Sequence, residues 1–279
     1  MNTSVKYSFV CLFAFVAALA LSCASVRSYP APEGPFLYAE YGPSVPACSD
    51  TVKVVSFNIE HSRKIVHAIY ELSELETLKE ADIILLQEVD DIGAERIARM
   101  LKYNVYYVPA SVFESRGRHF GNAILSKHPM QPRKKVILPH SDPHNKQKRI
   151  AISALVRIGN RPVYTVACHT SIIWPGNRKK RLDQIATVAG SIPDDQTYVI
   201  TAGDFNTADR KSLLGAVDRF RQKQMKWATE SIGITYPLWP LVLKLDHIFI
   251  RGFRVIDAGK YAGTKASDHY PVWTRIVFE

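Results

Sequence analysis

Val199-Ile200-Thr201-Ala202-Gly203-Asp204-Phe205-Asn206 carries the pattern on which the reading of this chain turns. A short run of apolar and β-prone residues meets a glycine, and an acid and an amide follow within three positions. Such a run, closed by a turn signal, predicts a buried strand. Asp204 and Asn206 then lie on one side of its C-terminal end. Taken alone, an Asp or Asn after a strand reads as a turn residue or a helix cap. Here the pattern recurs. Val54-Val55-Ser56-Phe57-Asn58 ends in an amide, Ile84-Leu85-Leu86-Gln87-Glu88 in a carboxylate and Ala167-Cys168-His169-Thr170 in an imidazole. Leu245-Asp246-His247 and Ser267-Asp268-His269 complete the set, the second just ahead of a strand. Strands of a common sheet deliver their ends to a common edge, so these polar strand ends predict one polar cleft.

Working outward, strands are expected at 52–59, 82–87, 104–109, 121–126, 136–138, 149–158, 162–169, 197–202, 245–250, 254–258 and 271–278. Helical patterns fall between them at 64–79, 91–101, 178–191 and 211–221. In the first helix Ile65, Ile69, Leu72 and Leu78 fall close to one face, and the second opens on acidic residues, as a helix start should. Strongly twisted open sheets rarely exceed about ten strands. Two sheets packed face to face with helices outside is the expected α/β solution. No repeat, low-complexity tract or Pro/Gly-rich linker interrupts residues 51–279, which are expected to form one domain.

Composition agrees with a globular chain. Apolar residues make up 47% and charged residues 22% of 279, which excludes collagenous, disulfide-dense and extensively disordered classes. The net charge of +10 favours polyanionic partners such as nucleic acid, anionic headgroups or phosphorylated small molecules. A basic, solvated surface is the plainer alternative.

Residues 1–22 read as a signal peptide: one lysine, an apolar core from Tyr7 to Leu21, then small residues. The apolar run is short of the roughly 20 residues that span a bilayer. Ala20-Leu21-Ser22-Cys23 resembles the lipobox of bacterial lipoproteins, with Ala20 where leucine is usual, and implies lipidation of Cys23. Simple secretion is the alternative. Residues 23–50, rich in Pro, Gly, Ser and Tyr, then read as a tether. The expectation is an exported monomer, lipid-anchored to the cell envelope or secreted. Cys48 and Cys168 are left to pair in an oxidising compartment, or to stay free. No Cys/His spacing suggests zinc.

The ordered set Asn58, Gln87-Glu88, Gly121-Asn122-Ala123-Ile124-Leu125-Ser126, His169-Thr170, Gly203-Asp204-Phe205-Asn206, Leu245-Asp246-His247 and Ser267-Asp268-His269 resembles the endonuclease/exonuclease/phosphatase superfamily. The resemblance covers about residues 51–279. It implies a four-layer α/β sandwich and metal-dependent phosphoester hydrolysis. Hard oxygen donors suit Mg²⁺ or Mn²⁺. The implied metal site is Glu88 with Asn58 and Asp268. The implied catalytic set is Asp204, orienting or deprotonating water or else protonating the leaving group, with Asn206 beside it. Asp246 would pair with His269 and keep it cationic, and His169 would donate to a non-bridging oxygen.

Secondary candidates are Glu60 beside the metal, Arg149 toward substrate phosphate or as a sheet cap, and Asn122 toward substrate or in packing. His247 points away from Asp246 on its strand and reads as structural. His61, His67, His119, His128, His140 and His144 have no assigned partner. Basic clusters at 133–135, 146–149, 178–181 and 219–226 suit nucleic acid, or a solvated face. Tyr236-Pro-Leu-Trp-Pro-Leu-Val-Leu reads first as packing and second as a membrane-touching loop. The substrate readings are nucleic acid or another phosphodiester, then a lipid headgroup as in sphingomyelinases, then a small phosphate ester. A degenerate polyanion-binding module is the non-enzymatic alternative.

Overall fold

β3 (Thr51–Asn58) and β4 (Ile83–Val89) lie side by side and parallel, with Asn58 opposite Gln87 at their common end. They form the middle of an eight-stranded sheet in the computed structural model, which describes residues 26–43, 49–113, 117–142, 145–172, 177–240 and 242–279. Its path runs β1 (Val26–Ser28), β5 (Asn104–Phe113), β6 (Arg118–Ser126), β4, β3, β14 (Val272–Phe278), β13 (Phe253–Lys260), and β2 (Leu37–Ala39) also pairs with β5. A six-stranded sheet runs β11 (Lys226–Trp227), β12 (Asp246–Arg251), β10 (Tyr198–Asp204), β9 (Arg161–His169), β8 (Ile150–Ile158), β7 (Met130–Ile137). Both are mixed: β3 with β4 and β9 with β10 are parallel, and the other pairs are antiparallel.

Period-two alternation sorts each strand's side chains between two cores. Val52, Val54, Ile83 and Leu85 of the first sheet meet Ile152, Ala154, Ile200 and Ile248 of the second in the central core. Their neighbours Val55, Phe57, Ile84 and Leu86 face outward, against Leu72 of α1 (Ile65–Glu74) and Ile97 of α2 (Asp91–Leu101). On the far side Val199 and Phe249 pack with Ile185 of α3 (Arg178–Gly190) and Phe220 of α4 (Arg210–Gln222). Helix, sheet, sheet, helix gives the four expected layers. Strands buried on both faces read as near-continuous apolar runs, which is why the central strands were legible.

Differences lie at the edges. Residues 26–28 and 37–39 fall within the expected tether but form strands on β5. Three residues are too few to show a period. β7 extends back to Met130, and its Pro132, Arg133, Lys134 and Lys135 hid the pattern; such residues suit an edge strand. α1 stops at Glu74, since Leu75 turns to extended geometry. The leader, Cys23, Cys48 and His144 lie outside the described residues. Cys168 is a free, buried thiol.

Candidate active site

Three strands of the six-stranded sheet end abreast. His169 of β9 lies opposite Asp204 of β10, and Asp204 opposite Asp246 of β12. Gly203 permits this: its φ is 155°, and a Cβ there would come within 1.8 Å of the Cys168 carbonyl oxygen. From the facing sheet come Asn58, at the end of β3, and Glu88, at an irregularity in the pairing of β4 with β6. Glu88 has φ 54°, and a bulge of this kind re-aims a side chain. The Asn58 amide nitrogen donates to Glu88 Oε1 and to Asp204 Oδ2, both at 3.2 Å. The two sheets thus meet across one carboxamide.

Asp204 is buried, and its oxygens face donors. Oδ1 accepts from the Asn206 backbone at 2.9 Å. Oδ2 has Asn58 at 3.2 Å, His169 Nε2 at 3.4 Å and His269 Nε2 at 3.8 Å. Burial raises its pKa to about 7 against the opposing charge of His269. His269 Nδ1 is 2.9 Å from Asp246 Oδ2, and the Tyr236 ring sits 4.9 Å from the imidazole. Burial opposes the charged ring, yet the Asp246 and Asp204 carboxylates raise its pKa to about 10.

His169 is the opposite case. Burial first, and the Arg149 cation second, hold its pKa well below the ordinary range. The Arg149 guanidinium stands 3.1 Å from His169 Nδ1 and 3.3 Å from Nε2. Arginine only donates. The neutral tautomer that accepts from Arg149 at the shorter contact, Nδ1, carries its proton on Nε2, toward Asp204 Oδ2 at 3.4 Å. Arg149 is itself buried, lies over the Phe120 ring at 4.9 Å, and leaves Nε without a partner among the described residues.

The remaining expected residues separate. Asn206 is buried at φ 48° and donates to the Thr170 carbonyl at 3.2 Å. Asn122 donates to the Ile150 carbonyl at 3.0 Å, tying the sheets together next to Arg149. Asp268 is half-buried, outside the tight group formed by Asp204, Asp246 and His269. Burial raises its pKa, and the nearby Glu60 and Glu88 charges add to that. His247 turns into the outer core, bonds Thr207 at 2.7 Å and packs on Phe205 and Trp227. Burial lowers its pKa to about 3. His128 pairs with Asp82, His140 with Asp183, and His119 with Tyr29 and Asp91.

Three neighbours of the cleft carried no signal in the sequence. Glu60, His61 and Ser62 form a left-handed run with φ of 47°, 56° and 55°. That run brings His61 Nε2 to 3.1 Å from Glu88 Oε2. Phe120 lies between His61 and His169, 5.1 and 5.7 Å from their rings. Tyr236 is the third. A left-handed run of three non-glycine residues has no propensity signature, and Phe120 reads as ordinary core.

The donor chemistry fits a hard divalent cation. Glu60 and Glu88 lie close enough to Asp268 to disfavour its charge, which a cation would relieve. Asn58 Oδ1 accepts from the Glu60 backbone at 3.1 Å, so in this orientation Asn58 steers the carboxylates through its nitrogen. The Asp204, Asp246 and His269 atoms also lie within 4.8 Å of one another, and Asp246 Oδ1 has no partner among the described residues.

The sequence matches the Endonuclease/Exonuclease/phosphatase family over residues 55–269, and the chain belongs to that family. Its enzymes are generally phosphoester hydrolases and typically depend on a divalent metal. Similar solved structures include a family protein from Leptotrichia buccalis, at 18% identity and a TM-score of 0.66, covering 81% of this chain and 100% of that one. A TDP2 from D. rerio, humanised by 14 mutations, has 17% identity and a TM-score of 0.64 over 82% and 99% of the two chains. A mannosyl-6-phosphatase from Bacteroides thetaiotaomicron has 16% identity and a TM-score of 0.59 over 81% and 100%. Identities this low carry the fold and no more. No match to a curated protein was found.

Proposed function

We propose that the chain is a Mg²⁺- or Mn²⁺-dependent phosphodiesterase that hydrolyses its ester by attack of water on phosphorus, with nucleic acid as the first substrate class. The observation that carries this reading is the environment of Asp204 Oδ2, where donors from both sheets converge. An oxygen with the Asn58 amide at 3.2 Å and the His169 and His269 nitrogens at 3.4 and 3.8 Å is suited to hold negative charge. Asp204 therefore takes the proton of the attacking water, with Asn206 holding Oδ1 in place. Neutral His169, its Nε2–H shifting from Asp204 to a non-bridging phosphoryl oxygen of the bound ester, strengthens that bond as charge develops there. His269, kept protonated by Asp246, sets a positive charge against the phosphate. Arg149, a buried cation, sets a second behind His169. A divalent ion held by Glu88 and Asp268, with Asn58 and Glu60 steering them, would supply charge neutralisation at the phosphoryl oxygens.

A nuclease is favoured by the net charge of +10. A small phosphate ester is the second reading, favoured by the likeness in fold to the mannosyl-6-phosphatase. A non-catalytic polyanion binder is disfavoured because no acid, amide or imidazole of the set is lost. We also propose that the enzyme is exported and held at the envelope by lipid on Cys23.

Hydrolysis of bis-p-nitrophenyl phosphate, compared with p-nitrophenyl phosphate, tests the reading. Turnover of the diester with Mg²⁺ or Mn²⁺ that EDTA abolishes supports it. Turnover of the monoester alone moves the assignment to a phosphatase, and no turnover of either leaves the binding module.

A further inference from the structure

The segment 236–243 reads first as packing and second as a membrane-touching loop, and Trp239 is 85% exposed, with Leu238 and Val242 exposed beside it. A fully exposed tryptophan flanked by aliphatic residues gains nothing from folding, and such patches mark contact surfaces. This tip rises beside the cleft, because Tyr236, at its foot, lies against His269. Two further large apolar side chains are exposed near the same edge. Val66 is in the first turn of α1, reached soon after β3 ends at Asn58. Ile92 is in the first turn of α2, which starts directly after β4 leaves Glu88.

An independent observation concerns the direction from which the chain enters. Val26 pairs with Phe113, at the end of β5 that projects past the level of Glu88, since Pro109 already lies opposite Gly121 and Gly121 opposite Val89. Val26 therefore stands at the cleft edge of the sheet. Cys23 lies three residues upstream, a reach of about 10 Å in extended chain. β1 and β14 are five strand spacings apart, about 24 Å, so the entering chain and the Trp239 tip flank the cleft from opposite sides. Arg27 beside Val26 and Lys265 beside the Ser267-Asp268-His269 segment are exposed cations on these flanks.

We propose that the catalytic edge docks on an anionic bilayer, with Leu238, Trp239 and Val242 seated at its headgroup boundary, so that the cleft opens along the membrane surface. An aromatic and aliphatic tip with basic flanks is the chemistry that such an interface accepts. The inference rests on residues 1–23 acting as a lipidated leader.

The test uses the full chain, expressed with its leader and reconstituted in vesicles of phosphatidylethanolamine and phosphatidylglycerol brominated on their acyl chains. Tryptophan emission is expected to be quenched by these lipids, and Trp239→Ala is expected to remove most of that quenching. Trp227→Phe, at a half-buried tryptophan packed against the outer core, is expected to leave it unchanged. Equal quenching in wild type and Trp239→Ala, or none in either, overturns the proposal. So does a Trp239 signal that responds to oligothymidylate and not to the bilayer, which would make the tip a base-stacking platform. Intact mass reports separately whether the chain begins at a diacylated Cys23. Quenching needs no turnover, so its failure and the failure of the hydrolase reading are distinguishable.

Discussion

The side-chain nitrogen of Asn58, on a strand of one sheet, donates across 3.2 Å to Asp204 Oδ2, on a strand of the other. The same nitrogen reaches Glu88 Oε1. One carboxamide thus couples the carboxylate cluster around Glu88 to the acid and histidine cluster around Asp204. Sandwich geometry makes this possible: both sheets present C-terminal strand ends at one edge, and the central core below them is apolar.

The two charge states set a pH window. Asp204 acts as a carboxylate, so turnover rises as pH climbs through about 7. His269 acts as an imidazolium, so turnover falls as pH climbs through about 10. A profile of kcat for the diester is expected to be a bell between these limbs. Asp246→Asn removes the main partner of His269, and the alkaline limb is expected to move down toward the ordinary histidine range.

His169→Ala removes a donor that matters most as charge develops on phosphorus. The expected loss in kcat is about 10²–10³-fold, with KM little changed. A KM effect without a kcat effect would assign His169 to ground-state binding.

Gly203→Ala places a methyl group against the Cys168 carbonyl at a φ that side chains rarely adopt. Destabilisation of about 3 kcal/mol is expected in urea unfolding. A change within about 0.5 kcal/mol would mean that β9 and β10 can separate there without cost.

Chelation separates metal from scaffold. EDTA is expected to abolish turnover without changing the far-ultraviolet circular dichroism, because the apolar cores hold the strands irrespective of the cleft. Glu88→Gln is expected to raise the Mg²⁺ concentration needed for half-maximal turnover, whereas His247→Asn, in the outer core, is expected to leave it alone.

Much of this arrangement was legible in the sequence, for a physical reason. Asn58, Glu88, His169, Asp204 and Asp246 are polar residues at the ends of strands whose apolar runs are unmistakable. Topology then brings the ends together. What escaped depends on interactions between strands or on unusual backbone. His61 reaches Glu88 only because three residues in sequence take left-handed conformations. Phe120 joins the cleft wall because β6 of one sheet faces β9 of the other, which sets its ring 5.7 Å from His169. Residues 26–28 and 37–39 gain their strand conformation from β5, not from any pattern of their own. The exposure of Trp239 could not be read from a segment whose composition also suits packing.

The central claim is that Asp204 accepts the proton from the attacking water. Its most direct test is the turnover of bis-p-nitrophenyl phosphate by Asp204→Asn with saturating Mg²⁺, a substitution that keeps the shape of the side chain and removes its charge. A fall in kcat of about 10²–10⁴-fold with the fold intact is expected. Undiminished turnover by the folded variant would contradict it.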